Sequence, residues 1–107
     1  MTVRTLIDMP RRVGRGQAFE IRAMVGHPME TGYRRGSDGE RLPRDILTEF
    51  VCSFDGEPVF SARLYPAISA NPFLSFSLAL ERSGELAFSW RGDRGFQHTE
   101  RVALVVE

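Results

Sequence analysis

Between positions 74 and 80 the chain reads Leu-Ser-Phe-Ser-Leu-Ala-Leu, with every even position large and apolar and every odd one small. A period of two sends successive side chains to opposite faces of a strand. This segment therefore has one face to bury, and only a sheet presents it. Leu86, Phe88 and Trp90 repeat the pattern, with Glu85, Ala87, Ser89 and Arg91 on the other face. Ser83-Gly84 between the runs is a turn signal, so the two together predict a β-hairpin.

Five further runs carry the same signature. Val3, Thr5 and Ile7 alternate near the start, and Phe19, Ile21, Ala23 and Val25 alternate after the turn Gly14-Arg15-Gly16. Ile46 to Phe54 places Ile46, Phe50, Cys52 and Phe54 on one face. Asp55-Gly56 turns the chain into Pro58 to Leu64, a second expected hairpin. After Asp93-Arg94-Gly95, a last run extends from Phe96 to Val106. Seven short strands with turn signals at this density predict an all-β chain, an immunoglobulin-like antiparallel β-sandwich. There is no helical period of useful length and no internal repeat. A chain of 107 residues is read as a single domain, 1–107, that buries about two-thirds of its unfolded surface. With 42% hydrophobic and 26% charged residues, it can support a core without disulfides or metals.

Two connections are longer than such a sandwich needs. Gly26 to Pro43 spans 18 residues, above the roughly 12–15 at which structureless loops become uncommon and often functional. It begins His27-Pro28-Met29-Glu30-Thr31-Gly32 and carries Arg34, Arg35, Arg41 and Arg44 around the expected tip Gly36-Ser37-Asp38-Gly39. The second, Tyr65-Pro66-Ala67-Ile68-Ser69-Ala70-Asn71-Pro72-Phe73, has two prolines and sets apolar residues between strands.

Charge and cysteine usage exclude several functions. All 14 basic residues are arginine, balanced by 14 acids, so the cationic footprint of nucleic-acid binding is missing. The sign is uneven, with seven arginines against three acids over residues 1–35 and seven against eleven over 36–107; solvated charge is the plain reading. No segment approaches the ~20 apolar residues of a membrane span. The first residues carry no apolar run of signal-peptide length, which by itself suggests a cytoplasmic protein. One cysteine, Cys52, excludes an internal disulfide framework and multi-cysteine zinc sites.

The candidate chemical groups are few. Cys52 shares a strand face with Phe50 and Phe54, where burial disfavours the thiolate that a nucleophile needs; a packed thiol, a bridge to a partner chain and a catalytic thiol all remain open. His27 and His98 lack the spacing of a zinc motif, and Pro28 biases His27 toward an extended backbone. The loop arginines suit a small oxyanion through their planar forks, or are solvated. No phosphate-cradling loop, nucleophile elbow or paired-carboxylate arrangement is present. The residues alone favour a binding or partner module.

The segments His27-Pro-Met-Glu-Thr-Gly32, Pro43-Arg44, Phe50-Val-Cys-Ser-Phe54, the Asp55-Gly56 turn and Pro66-Ala-Ile-Ser-Ala-Asn-Pro-Phe73 running into Leu74-Ser-Phe76 together resemble the SoxZ family. The resemblance covers nearly the whole chain. It implies a non-catalytic subunit of the SoxYZ carrier of thiosulfate oxidation, without cofactor or metal. The partner it implies is SoxY, whose C-terminal Gly-Gly-Cys-Gly-Gly arm carries sulfur as cysteine adducts while the other Sox enzymes act on it transiently. It also implies a periplasmic protein exported with the Y subunit, where Cys52 could form an inter-subunit disulfide. On this reading His27, Pro28, Met29, Glu30, Thr31 and Gly32, with Ile68, Ala70, Asn71, Pro72 and Phe73, form the heterodimer interface, Met29 offering an adaptable apolar contact. No contact with nucleic acid or membrane is expected, and the isolated chain is expected to tend toward self-association through an open edge or apolar face. The alternatives are a small-anion-binding module and an enzyme using Cys52 alone.

Overall fold

The computed structural model describes residues 3–107 and holds eight strands. They are β1 (Thr5–Asp8), β2 (Arg12–Val13), β3 (Phe19–Val25), β4 (Leu47–Phe54), β5 (Glu57–Arg63), β6 (Phe73–Leu78), β7 (Gly84–Gly92) and β8 (Gln97–Val106), with one 3₁₀ turn at Asp93–Gly95 before β8. No α-helix occurs among the described residues. One sheet has the order β1-β3-β6 and the other β2-β8-β7-β4-β5, which bears out the all-β sandwich. All pairings are antiparallel except β2 with β8.

The alternating residues face each other between the sheets. Phe19, Ile21, Ala23 and Val25 of β3 meet Phe50, Cys52 and Phe54 of β4 and Leu86, Phe88 and Trp90 of β7, all buried. Phe50 sits at the centre, with ring centroids of Phe76, Phe88 and Trp90 at 5.9, 6.4 and 5.3 Å. Phe60 of β5 stacks on Phe76 of β6 at 4.2 Å, tying the sheets together. Such aromatic pairs add to the area they bury.

Asp55-Gly56 forms the expected hairpin between β4 and β5. Both turn residues have positive φ, 48° and 89°, as the favoured two-residue hairpin turns require. β5 is an edge strand, so Pro58 costs no ladder bond there, and a bulge shifts its register at Cys52/Ser53. A second irregularity, between Leu47 and Glu49 against β7, turns Leu47 inward as well as Phe50.

The hairpin expected at Ser83-Gly84 does not exist. β6 pairs with β3 in one sheet, while β7 pairs with β4 and β8 in the other. Ser83-Gly84 ends a crossing between sheets. Gly84 is there for space: a Cβ would lie 2.6 Å from the Phe54 ring. Alternation reports which face is buried and says nothing about the in-plane neighbour. β2 carries no sequence signature, because two residues have no period. It leaves the line of β1 after Pro10 and joins β8 in register Arg12↔Val105 and Val13↔Val106.

The molecule measures 58 × 22 × 19 Å. Its longest strand, β8, accounts for only about 33 Å at the usual rise, so the connections at the ends supply the rest.

Candidate functional site

The two long connections close one end of the sandwich together. The His27 N–H donates to Asn71 Oδ1 at 2.9 Å, and the Asn71 N–H donates to the His27 carbonyl at 2.7 Å. The Val25 N–H reaches the Pro72 carbonyl. The backbone exchange needs Asn71 at positive φ (54°), a conformation asparagine tolerates better than most residues.

His27 and Met29 are turned inward. Burial runs on from β3 with its own period of two, through Phe19, Ile21, Ala23, Val25, His27 and Met29. The His27 ring is 4% exposed and meets Phe96 edge-on at 5.0 Å. Its Nδ1 accepts the Met29 N–H at 3.0 Å, so the proton of the neutral ring sits on Nε2, 3.6 Å from Asp45 Oδ1. That separation is an electrostatic contact, too long for a hydrogen bond. Burial pulls the imidazole below its ordinary value, with Asp45 and Asp93 acting partly against it. Met29 is 5% exposed, and its Sδ accepts the Leu47 N–H at 3.2 Å. The expected apolar contact from Met29 to a partner is therefore corrected: the thioether fills the core and caps the start of β4.

The rest of the motif anchors the long loop. Glu30 and Asp45 exchange backbone hydrogen bonds at 2.8 and 2.7 Å. The Arg34 guanidinium lies 2.6 Å from Glu30 Oε1 and holds that carboxyl below its ordinary value. Gly32 has φ 89° and sits where a Cβ would press on Arg44 at 3.1 Å. Arg44 forks onto Asp93 with two bonds of 2.8 Å, keeping Asp93 ionised well below its usual range; Asp93 also accepts the Ile46 N–H. Arg35 bonds the Gly39 carbonyl at the loop tip. Three of the four arginines are thus engaged within the chain, Arg34 and Arg35 inside the loop and Arg44 on Asp93, which weakens the small-anion alternative.

Beside its exposed arginines, this end presents large apolar side chains to solvent. Of the seven large hydrophobic residues exposed among the described residues, four belong to these connections: Tyr33, Tyr65, Ile68 and Phe73. Ala70, Asn71 and Pro28 are also exposed, Pro72 is buried, and Thr31 and Gly32 are intermediate. Phe73 continues across the outer face of the three-stranded sheet, in register with Met24 and through it with Leu6. Tyr33 in the first connection and the outward Leu6 of β1 carry no signal in the sequence, where single exposed apolar residues are ordinary. Beside this end, a groove of about 370 Å³ lies between Arg44, Thr48, Glu49, Arg63, Tyr65 and Arg91.

Cys52 lies apart from all of this. It is fully buried and unbonded, between Phe60 and Phe88 in register. Burial pushes its thiol up to about 12, so neither a thiolate nucleophile nor an accessible sulfur for an inter-subunit disulfide is presented by this fold. Among the described residues, no three His, Cys, Asp or Glu side chains converge as a metal site.

The sequence matches the family model described as "Sulphur oxidation protein SoxZ" over residues 7–103. No curated protein matches it. Among solved structures, a superoxide reductase (neelaredoxin) from Ignicoccus hospitalis superposes with TM-score 0.73 at 22% identity, over 96% of this chain and 80% of that one. The sulfur carrier protein SoxY from Chlorobium limicola f thiosulfatophilum superposes with TM-score 0.68 at 13% identity, over 96% and 78%. At such identities these likenesses speak to fold alone.

Proposed function

The chain belongs to the SoxZ family of sulfur-oxidation proteins, and from that premise we propose that it is the non-catalytic Z subunit of a two-chain sulfur carrier. Its partner is a SoxY-like chain with a C-terminal Gly-Gly-Cys-Gly-Gly arm, and the sulfur cargo rides on that arm's cysteine. One observation carries the assignment of roles: the single thiol of this chain is sealed in the core, with its acidity suppressed. A carrier thiol must instead be exposed and ionisable. The other Sox enzymes meet this subunit transiently, in the periplasm, which it reaches together with its partner.

The proposed interface is the apolar end built by the two connections. Tyr33, Tyr65, Ile68 and Phe73 supply the contact area; His27, Met29 and Asn71 hold the backbone that displays them. Aromatic side chains in such a patch are the usual anchors of a protein interface. That the SoxY of another organism shares the sandwich fold supports a pairing of two like domains.

Co-expression with a SoxY-like chain tests the proposal. The expected outcome is a one-to-one complex, with sulfur adducts found by mass spectrometry only on the partner. Two separately eluting species, or adducts on Cys52, would reject it.

A further inference from the structure

β8 has ten residues, Gln97–Val106, and is flanked by β7 along its length, but β2 covers only Val105 and Val106 on its other side. The Val105 and Glu107 N–H groups donate to Arg11 and Val13 on that side. Backbone groups alternate between the two sides of a strand, so Gln97, Thr99, Arg101 and Ala103 turn their N–H and C=O groups to the same side, where no strand meets them. A run of this length is a template for another strand. The far edge of the same sheet is protected by Pro58 and the bulge of β5; residues 97–104 contain neither proline nor bulge.

We propose that this edge pairs antiparallel with β8 of a second copy of this chain, with a twofold axis at Thr99. The side-chain order suits a second copy as occupant and favours this register over the adjacent ones centred on His98, Glu100 or Arg101. Centred on Thr99, the pairing sets Phe96 across from Val102 and His98 across from Glu100 on the inner face. On the outer face it sets Gln97 across from Arg101 and Thr99 across from itself. Every charged residue between positions 96 and 102 then meets an opposite or neutral partner. Centring on Arg101 brings two guanidiniums together, centring on Glu100 brings two carboxylates together, and centring on His98 sets Phe96 against Glu100. Like charges directly opposite are destabilising. His98 and Glu100 already bond each other within one chain at 2.8 Å. These inward charges repel an arbitrary strand and complement this one. The joined sheet has ten strands, about the upper limit for an open twisted sheet. This contact goes beyond the carrier proposal and does not depend on it, because it uses the free edge of β8 and none of Tyr33, Tyr65, Ile68 or Phe73.

The test is cross-linking of full-length Thr99→Cys, alone and mixed with a SoxY-like chain, using a short bifunctional thiol reagent. Facing hydrogen-bonded residues of an antiparallel pair hold their Cα atoms about 5.5 Å apart, and Cys52 is too buried to compete. A covalent dimer of this chain is expected from Thr99→Cys and not from Ser61→Cys on β5. Thr99→Pro removes an outward N–H and the exposed Thr99 Oγ1–Ser89 Oγ bond of 3.0 Å, so the monomer keeps its ladder. Losing the two twofold-related amide bonds weakens self-association by about 30-fold in sedimentation equilibrium. The proposal is overturned if Thr99→Cys gives no dimer or none beyond Ser61→Cys. Cross-linking to the SoxY-like chain in place of a second copy, or Thr99→Pro associating as tightly as the parent, overturns it equally.

Discussion

Removing the only thiol is the perturbation that best separates a structural cysteine from a working one. Cys52 is fully buried between aromatic neighbours on β5 and β7. Replacing it with alanine deletes one sulfur atom and leaves a void smaller than a methyl-sized group or two, costing about 1 kcal/mol. For a chain of this length, that lowers Tm by roughly 4–8 °C. Serine fits the space but brings a hydroxyl into an apolar pocket, where an unpaired polar group costs about 1–3 kcal/mol; its Tm therefore falls further than that of Cys52→Ala. Reactivity follows from the acidity. With the thiol raised from an ordinary 9.0 to about 12, the thiolate fraction at pH 8 drops about 1,000-fold, and the reagent must also wait for the core to open. The assay is Ellman's reagent on the native chain and again in denaturant, beside thermal melts of both variants. Stoichiometric labelling only after denaturation is expected, with sulfur carriage by the reconstituted complex unchanged in Cys52→Ala. Fast labelling of the folded protein, or loss of carriage in a stable Cys52→Ala complex, would refute the reasoning.

Further outcomes follow from the same end of the molecule. Because burial lowers the pKa of His27, the unfolded chain binds the proton more readily than the folded one. The stability this ring contributes is complete above its ordinary value of 6.5 and is lost as pH falls through the depressed folded value. Urea melts of the parent chain should therefore weaken between pH 7.5 and 5.5 more than those of His27→Asn; equal slopes reject the buried neutral ring. The depressed carboxylates Glu30, Asp93 and Glu100 act in the same direction only at more acid pH. Gly92→Ala drives a Cβ to 2.6 Å from the Ile46 carbonyl and should cost about 1–3 kcal/mol in chemical denaturation, as overpacking does. Phe73→Asp, at a side chain 56% exposed, should leave Tm nearly unchanged and weaken pull-down of the SoxY-like chain, whereas Met29→Asp should unfold the domain; unimpaired pull-down by Phe73→Asp removes this residue from the interface.

Faces were legible in this sequence, and neighbours were not. The period of two named Leu86, Phe88, Trp90, Phe50 and Cys52 as core, and all are buried. The Asp55-Gly56 turn was legible because two positive φ angles ask for those residue types. The same logic misread Ser83-Gly84, where glycine relieves a close approach to Phe54 and has an ordinary φ. Nothing local distinguishes a glycine chosen for its backbone from one chosen for lack of a side chain. β2 was invisible because its parallel pairing with β8 is a purely long-range fact.

The motif His27 to Gly32 is expected, on the resemblance, to form a partner surface or its scaffold, yet the signal that places His27 and Met29 inside is present in the sequence. Odd positions are buried without a break from Phe19 to Met29, although the histidine and proline that follow Val25 look like loop. Extending the alternation by four residues would have put His27 and Met29 in the core and Pro28 outside. The consequence reaches the proposed interface. Met29 (φ 52°) and Asn71 (φ 54°) hold left-handed backbones, a strain tolerated where surrounding bonds over-determine the chain. The His27–Asn71 exchange, the Met29 N–H to His27 bond and the Glu30–Asp45 bridge do so here. The apolar end is therefore ordered before any partner arrives, and binding need not bear the cost of ordering these loops. Substitutions at His27, Met29 or Asn71 should disturb pairing only in proportion to lost stability. Those at Tyr33, Ile68 or Phe73 should disturb pairing at constant stability, and that separation distinguishes a scaffold from a contact.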